Sequence, residues 1–192
     1  ALPGAGREAR RIARLSDGGL ALTGAFASED ALAASAGGFN VLHFATHALV
    51  AGASDDRIAL VLSPGAGTDG LLSPGEIASL DLSGTRLAFL SACETTAGQV
   101  LLGEGVQGLT APLLAAGVRT VVATAWRVED RAAADMAEAF YRGLARGLSA
   151  GESLRQAQED AADRGVPMSE WGAFVLLGDP DLDRSGFCGG EI

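Results

Sequence analysis

Residues 86–110, RLAFLSACETTAGQVLLGEGVQGLT, hold the key to the fold. The apolar run LAFLSA meets Cys93 and then gives way to a polar, glycine-rich segment. A short continuous apolar run bounded by turn residues is the pattern of a strand covered on both faces, as in a parallel sheet. The run is predicted to end at Cys93, which sets the cysteine on the rim of a sheet, where chemistry can reach it. Residues 94–105 are predicted to form a mobile loop that shapes access.

The same signals recur outward from this stretch. Upstream, FNVLHFAT (39–46) is a second buried strand, bounded by Gly37-Gly38 and by His47. IALVLS (58–63) reads as a strand and GAGTDG as a turn, while Ser73, Pro74 and Glu76 form a capping-box pattern that opens a short helix. Towards the N-terminus a helix is predicted over 7–15 and a short strand over 19–24, with a further helix whose N-cap is Ser28 and whose first turn holds Asp30. Downstream come a helix ended by Gly117, the buried strand VRTVVATAW, helices over 130–146 and 151–163, and a last strand in GAFVLLGD. Strands alternate with helices, so the expected fold is α/β, a three-layer sandwich around a mainly parallel central sheet. In such sheets ligands gather beyond the carboxyl ends of the strands, where His47 and Cys93 are both expected.

Composition narrows the function. A chain of 192 residues fits one domain, 1–192, with a core of Ala, Leu and Val, since 48% of residues are hydrophobic but only 5% aromatic. No apolar run approaches the length of a membrane span, and the arginines in ALPGAGREARRIARL rule it out as a secretory signal. A net charge of -10 argues against a nucleic-acid-binding surface. All the basic residues are arginine, which reads as compositional bias. Cys93 and Cys188 are far apart and lack metal-ligand spacing, so neither a disulfide scaffold nor a metal or other cofactor is expected, and a reducing, cytoplasmic setting is the default. No glycine-rich phosphate loop follows the first strand, which disfavours flavodoxin-like binding.

Cys93 and His47 are the pair that could do chemistry. If their strands are neighbours the two residues meet on one rim, and a thiol needs a nearby base to populate its reactive thiolate. The structural alternative for Cys93 is a small buried hydrophobe, which the polar, glycine-rich sequence after it disfavours. His43, four residues before His47 and on the same face of a regular strand, is expected to be a hydrogen-bonded core histidine. Trp126 and Trp171 read as core or pocket-wall residues. Glu138, Glu152 and Glu159 read as solvated helix faces, and Cys188 as an inert thiol in a flexible tail.

Taken together, VLHFATHA, LAFLSACETTAG…GEGVQGL, GVRTVVATAWRVED, AFYRGLARGLSAGESLRQAQ and WGAFVLLGD resemble a CHAT domain, the caspase-like protease domain commonly found with tetratricopeptide repeats. The 46-residue spacing from His47 to Cys93 resembles that of caspases, and TAWRVED looks like separase of the same clan. The resemblance implies a caspase-like fold and a dyad of His47 and Cys93. It also implies an oxyanion hole made by the backbone N–H groups of Ala48 and Cys93, where Ala48 stands in the family's usual glycine position and keeps the donor. The implied activity is that of a cysteine endopeptidase cutting protein substrates after a specific residue. Glu94 and Asp130 are the nearest acids, and Asp130 is the candidate reader of a substrate arginine or lysine, or else the N-cap of the helix that follows it. Arg127 stands where separase is acidic and could favour an acidic substrate residue instead. Family members usually carry a strand before LPGAGREAR, so the chain is expected to be part of a longer protein with a regulatory repeat or sensor region. Two other readings remain open: a non-catalytic interaction module on the same fold, and a cysteine amidase acting on small molecules.

Overall fold

The computed structural model describes residues 4–16, 18–50, 58–96 and 106–182, with only the backbone of Val50, residues 92–96, 106 and 107. The order of elements is α1 (Ala5–Ala13), α2 (Glu29–Ser35), β1 (Val41–Val50), β2 (Ile58–Val61), β3 (Leu71–Leu72), α3 (Pro74–Ser79) and β4 (Leu87–Thr96). Then follow α4 (Thr110–Ala115), β5 (Thr120–Thr124), α5 (Asp130–Ala145), α6 (Ala150–Asp163), α7 (Met168–Trp171) and β6 (Phe174–Gly178).

Among the described residues one six-stranded sheet has the order β3-β2-β1-β4-β5-β6. Its centre, β1-β4-β5, is parallel, and antiparallel strands β2 and β6 close on either side of that centre. The two sides of each central strand feed two separate cores. Leu87 and Phe89 pack with α1, α5 and α6 residues such as Ile12, Phe140 and Leu154. The alternate residues Ala88 and Leu90 pack on the other face with Ile77 and Leu113 of α3 and α4. This two-sided burial is why the strands read as unbroken apolar runs. Phe89 is the hub of the first core, with the rings of His43, Phe140, Tyr141 and Phe174 at 5.3–6.0 Å.

Several local signals act as expected. The Ser28 hydroxyl caps α2 by accepting the Ala31 N–H, and Ser73 and Glu76 form a reciprocal capping box at α3. Gly117 stops the chain after α4 at φ +109°, where a side chain would be strained and would strike the Ser83 backbone.

Four expectations need correcting. Residues 19–23 form no strand; they run in open chain into a short 3-10 turn at Gly24–Phe26, because this segment lies on no sheet edge. β1 and β4 do not end at Thr46 and Ala92 but pair in register through Val50 and Thr96, so Glu94 belongs to a strand and not to the predicted loop. The rest of that loop, 97–105, and the tail with Cys188 lie outside the described residues. Glu138 is buried, not solvated, because the guanidinium groups of Arg11 and Arg142 neutralise it. Trp126 is 45% exposed, which removes the core alternative and leaves that of a pocket wall.

Candidate active site

β1 and β4 are parallel neighbours, and their register sets His47 directly beside Cys93. Adjacent strands lie about 4.8 Å apart, so the two backbones are immediate neighbours. Residues of one parity share a sheet face, and His47 has the parity of His43, whose side chain meets Glu8 of α1 and Tyr141 of α5. The Nδ1 atom of His47 is buried and has no hydrogen-bond partner among the described residues. A buried ring nitrogen without a partner is uncommon, since burial normally obliges one. Cys93 is described by its backbone alone.

The site lies at the carboxyl end of the sheet. β5 pairs with β4 only at Leu87, Ala88 and Phe89 and ends at Thr124, so β4 runs past its neighbour before it reaches Cys93. The strands extend three residues beyond the pair, which places it near the rim and not on the last residue of it. Ala48 is fully buried and has a strand partner on both sides, Leu60 and Glu94. Cys93 has a partner on the β1 side, and its opposite edge lies beyond the described β5 pairing.

The segment after β5 carries the other predicted residues. Arg127 and Asp130 are both exposed, and Val128 between them is buried. Asp130 opens α5 as its first helical residue; the N-cap is Glu129, whose side chain makes no capping bond. The alternative of Asp130 as N-cap is therefore replaced by that of a first-turn acid favoured by the helix dipole. Trp126 donates its indole N–H to the Ser169 carbonyl at 2.8 Å, tying this segment to α7, while Trp171 donates to Val166 at 3.1 Å. Among the described residues no cluster of His, Cys, Asp and Glu converges as a metal site.

His43 is the core histidine that was expected. Its Nε2 meets Glu8 Oε1 at 3.0 Å and its Nδ1 the Tyr141 hydroxyl at 3.3 Å, with both the His43 and Glu8 side chains only 8% exposed. Burial, reinforced by the nearby Glu8 carboxylate, raises the Tyr141 phenol well above its ordinary pKa. The sequence reading missed Glu8. Its signal was available: Glu8 and Ile12 are one helical turn apart, on the side of α1 opposite the arginines.

A family model described as "CHAT domain" matches residues 1–179. The chain belongs to the CHAT domain family. Tetratricopeptide repeat protein 28 of Mus musculus is 33% identical over 110 residues, which is 56% of this chain and 4% of that protein. The CHAT chain thus spans a small fraction of the length of that relative. The mixed sheet with helices on both faces fits the caspase-like fold expected of a CHAT domain. No helix among the described residues is long and apolar enough to cross a membrane.

Proposed function

We propose that this CHAT domain is a cysteine endopeptidase with Cys93 as nucleophile and His47 as its general base and acid. The observation that carries the reading is the register pairing of His47 with Cys93, joined to the buried Nδ1 of His47, which has no hydrogen-bond partner among the described residues. His47 draws the thiol proton, and the Cys93 sulfur attacks the scissile carbonyl carbon to give a tetrahedral oxyanion. Collapse breaks the C–N bond as His47 returns the proton to the leaving amine, and water activated by His47 then hydrolyses the thioester. Backbone N–H groups of Ala48 and Cys93 serve the oxyanion, each worth about 2.7 to 4 kcal/mol of barrier. Ala48 is flanked by strands on both sides, so its N–H serves this role once β1 opens locally. That need for opening supports a latent enzyme switched on by a partner, and a regulatory repeat region is the proposed source, as the name of the mouse relative suggests.

Substrate choice is assigned to the exposed segment after β5, with Asp130 reading a basic residue before the cut and Glu94 and Arg127 as further candidates for substrate contact. The enzyme acts on cytoplasmic protein substrates and needs no cofactor. The continuous β1–β4 ladder around Ala48 favours a second reading, a non-catalytic interaction module. An acyloxymethyl-ketone peptide carrying arginine separates the two. Selective labelling of Cys93, abolished in His47→Ala, supports the peptidase. Labelling of Cys93 no faster than of Cys188, with and without an added repeat region, refutes it.

A further inference from the structure

We propose that the outer face of α1 is a docking surface for an acidic helix of a partner protein. Arg7, Arg10, Arg11 and Arg14 are all exposed, whereas Glu8 and Ile12 on the same helix are buried. At 100° per residue the four arginines fall within an arc of about 100° and extend over about 10 Å, roughly two turns. Arg11 is held by Glu138, which also binds Arg142 of α5 and so draws a fifth exposed arginine to the same side. Among the described residues Arg7, Arg10 and Arg14 have no carboxylate partner.

Like charges three and four residues apart repel and weaken a helix. The one acid within the stripe's span, Glu8, is turned inward to His43 and gives the outer face no relief. Eight residues, 7–14, thus hold four arginines in a chain whose net charge is -10, a sharp local reversal of sign. Guanidinium groups pair best with carboxylates in a planar, two-pronged fit. A second helix with Asp or Glu at positions i, i+3 or i+4, and i+7 supplies them at the matching pitch.

Other anionic partners fit less well. The stripe has no large apolar residue to enter a bilayer, since Ile12 faces the core. A nucleic acid carries its phosphates across the acidic remainder of the surface, within the range where charge is unscreened. A short helix touches the stripe alone. This inference does not depend on the peptidase reading, although α1 also holds His43, on the strand that carries His47.

The test is fluorescence anisotropy with two labelled, alanine-rich helical peptides of equal composition, added to the whole chain. One carries its glutamates in a single stripe, and the other spreads them around the helix. The striped peptide is expected to bind more tightly, and less so as salt rises. The triple variant Arg7→Gln/Arg10→Gln/Arg14→Gln should bind it about tenfold less tightly, the sum of three exposed pairs. The double variant Arg131→Gln/Arg164→Gln, altered at exposed arginines elsewhere, should bind unchanged. An unchanged thermal midpoint in the triple variant assigns the loss to the surface and not to unfolding. Equal binding of the two peptides to the unaltered chain overturns the proposal without recourse to any variant. So does an equal loss in the double variant, or tighter binding of phosphatidylserine vesicles or single-stranded RNA through the same three arginines.

Discussion

His43 and His47 stand four residues apart on one strand and one face, yet their surroundings differ in kind. A span of four residues is about 13 Å along a strand, enough to leave the cover of one helix. At His43 both ring nitrogens are engaged, by Glu8 of α1 and Tyr141 of α5, and the ring stacks near Phe89. At His47 Nδ1 is buried without a hydrogen-bond partner among the described residues, and the neighbouring residue in register is a cysteine. A satisfied histidine rigidifies a core, whereas the proposed role of His47 needs a ring nitrogen free to exchange a proton. The chemistry of the ring is the same; the position along β1 decides its surroundings.

The sharpest way to break this comparison is to truncate each histidine in turn. His47→Ala should cut peptide hydrolysis roughly 10²- to 10⁴-fold, the usual share of a general acid–base. Its thermal midpoint should change little, because the site lies near the rim. His43→Ala should do the reverse and lower stability through Glu8 and Tyr141, which lose their partner. Measuring kcat/KM and thermal midpoint for both variants checks the pair. If His43→Ala abolished turnover in a chain that stayed folded while His47→Ala did not, the roles would have to be exchanged.

Glu8 offers a second cut at the buried site from the helix side. A hydrogen bond to a charged group is worth about 1.5 to 3 kcal/mol, so Glu8→Ala should lower the unfolding free energy by that order. Urea denaturation at pH 7 reads it directly. An unaltered midpoint would mean that α1 is not held through His43.

What the sequence conveyed and what it concealed divide along physical lines. Two-sided burial leaves an unmistakable apolar run, so β1, β4 and β5 could be read, as could the long helical stretches that became α5 and α6, though not the cap of α5. The ends of β1 and β4 could not, because a strand persists as long as its neighbour offers ladder partners, and polar Glu94, Thr95 and Thr96 find them in β1. The register that sets His47 beside Cys93 is likewise a property of the sheet and not of either strand. Glu8 and Glu138 were hidden for a different reason. A carboxylate whose partner is remote in sequence, as His43 is from Glu8 and Arg11 from Glu138, looks in sequence alone like any solvated one.

A smaller effect is expected at Asp130. Its carboxylate is exposed in the free chain, and exposed pairs contribute only about 0.2 to 1 kcal/mol. Asp130→Asn should therefore reduce turnover of arginine substrates by no more than about fivefold. Turnover of matched neutral substrates should be unaffected. Comparing kcat/KM on the two substrates tests the assignment; an equal fall on both would leave Asp130 as a first-turn helix acid only.

The subtlest test concerns Tyr141 and the pH dependence of the buried site. Burial, and then the charge on Glu8, raise the folded-state pKa of the phenol above that of an unfolded tyrosine, which is about 10. The folded chain therefore keeps its proton where the unfolded chain begins to lose it. The contribution of the protonated phenol is fully present below about pH 10 and falls as the pH rises from there towards the raised folded value. Each pH unit in that window removes up to about 1.4 kcal/mol for one proton. Tyr141→Phe has no such proton to lose. At pH 7 it should be less stable by about 0.5 to 1.5 kcal/mol, for want of the bond to His43. Above pH 10 that deficit should shrink, and the two stability curves should converge or cross. Arginine does not titrate there, and the cysteines are common to both chains, so they cancel in the difference. Parallel curves from pH 8 to 11 would show that the phenol is as free to ionise in the folded chain as in the unfolded one, and that the site around His43 is open to solvent.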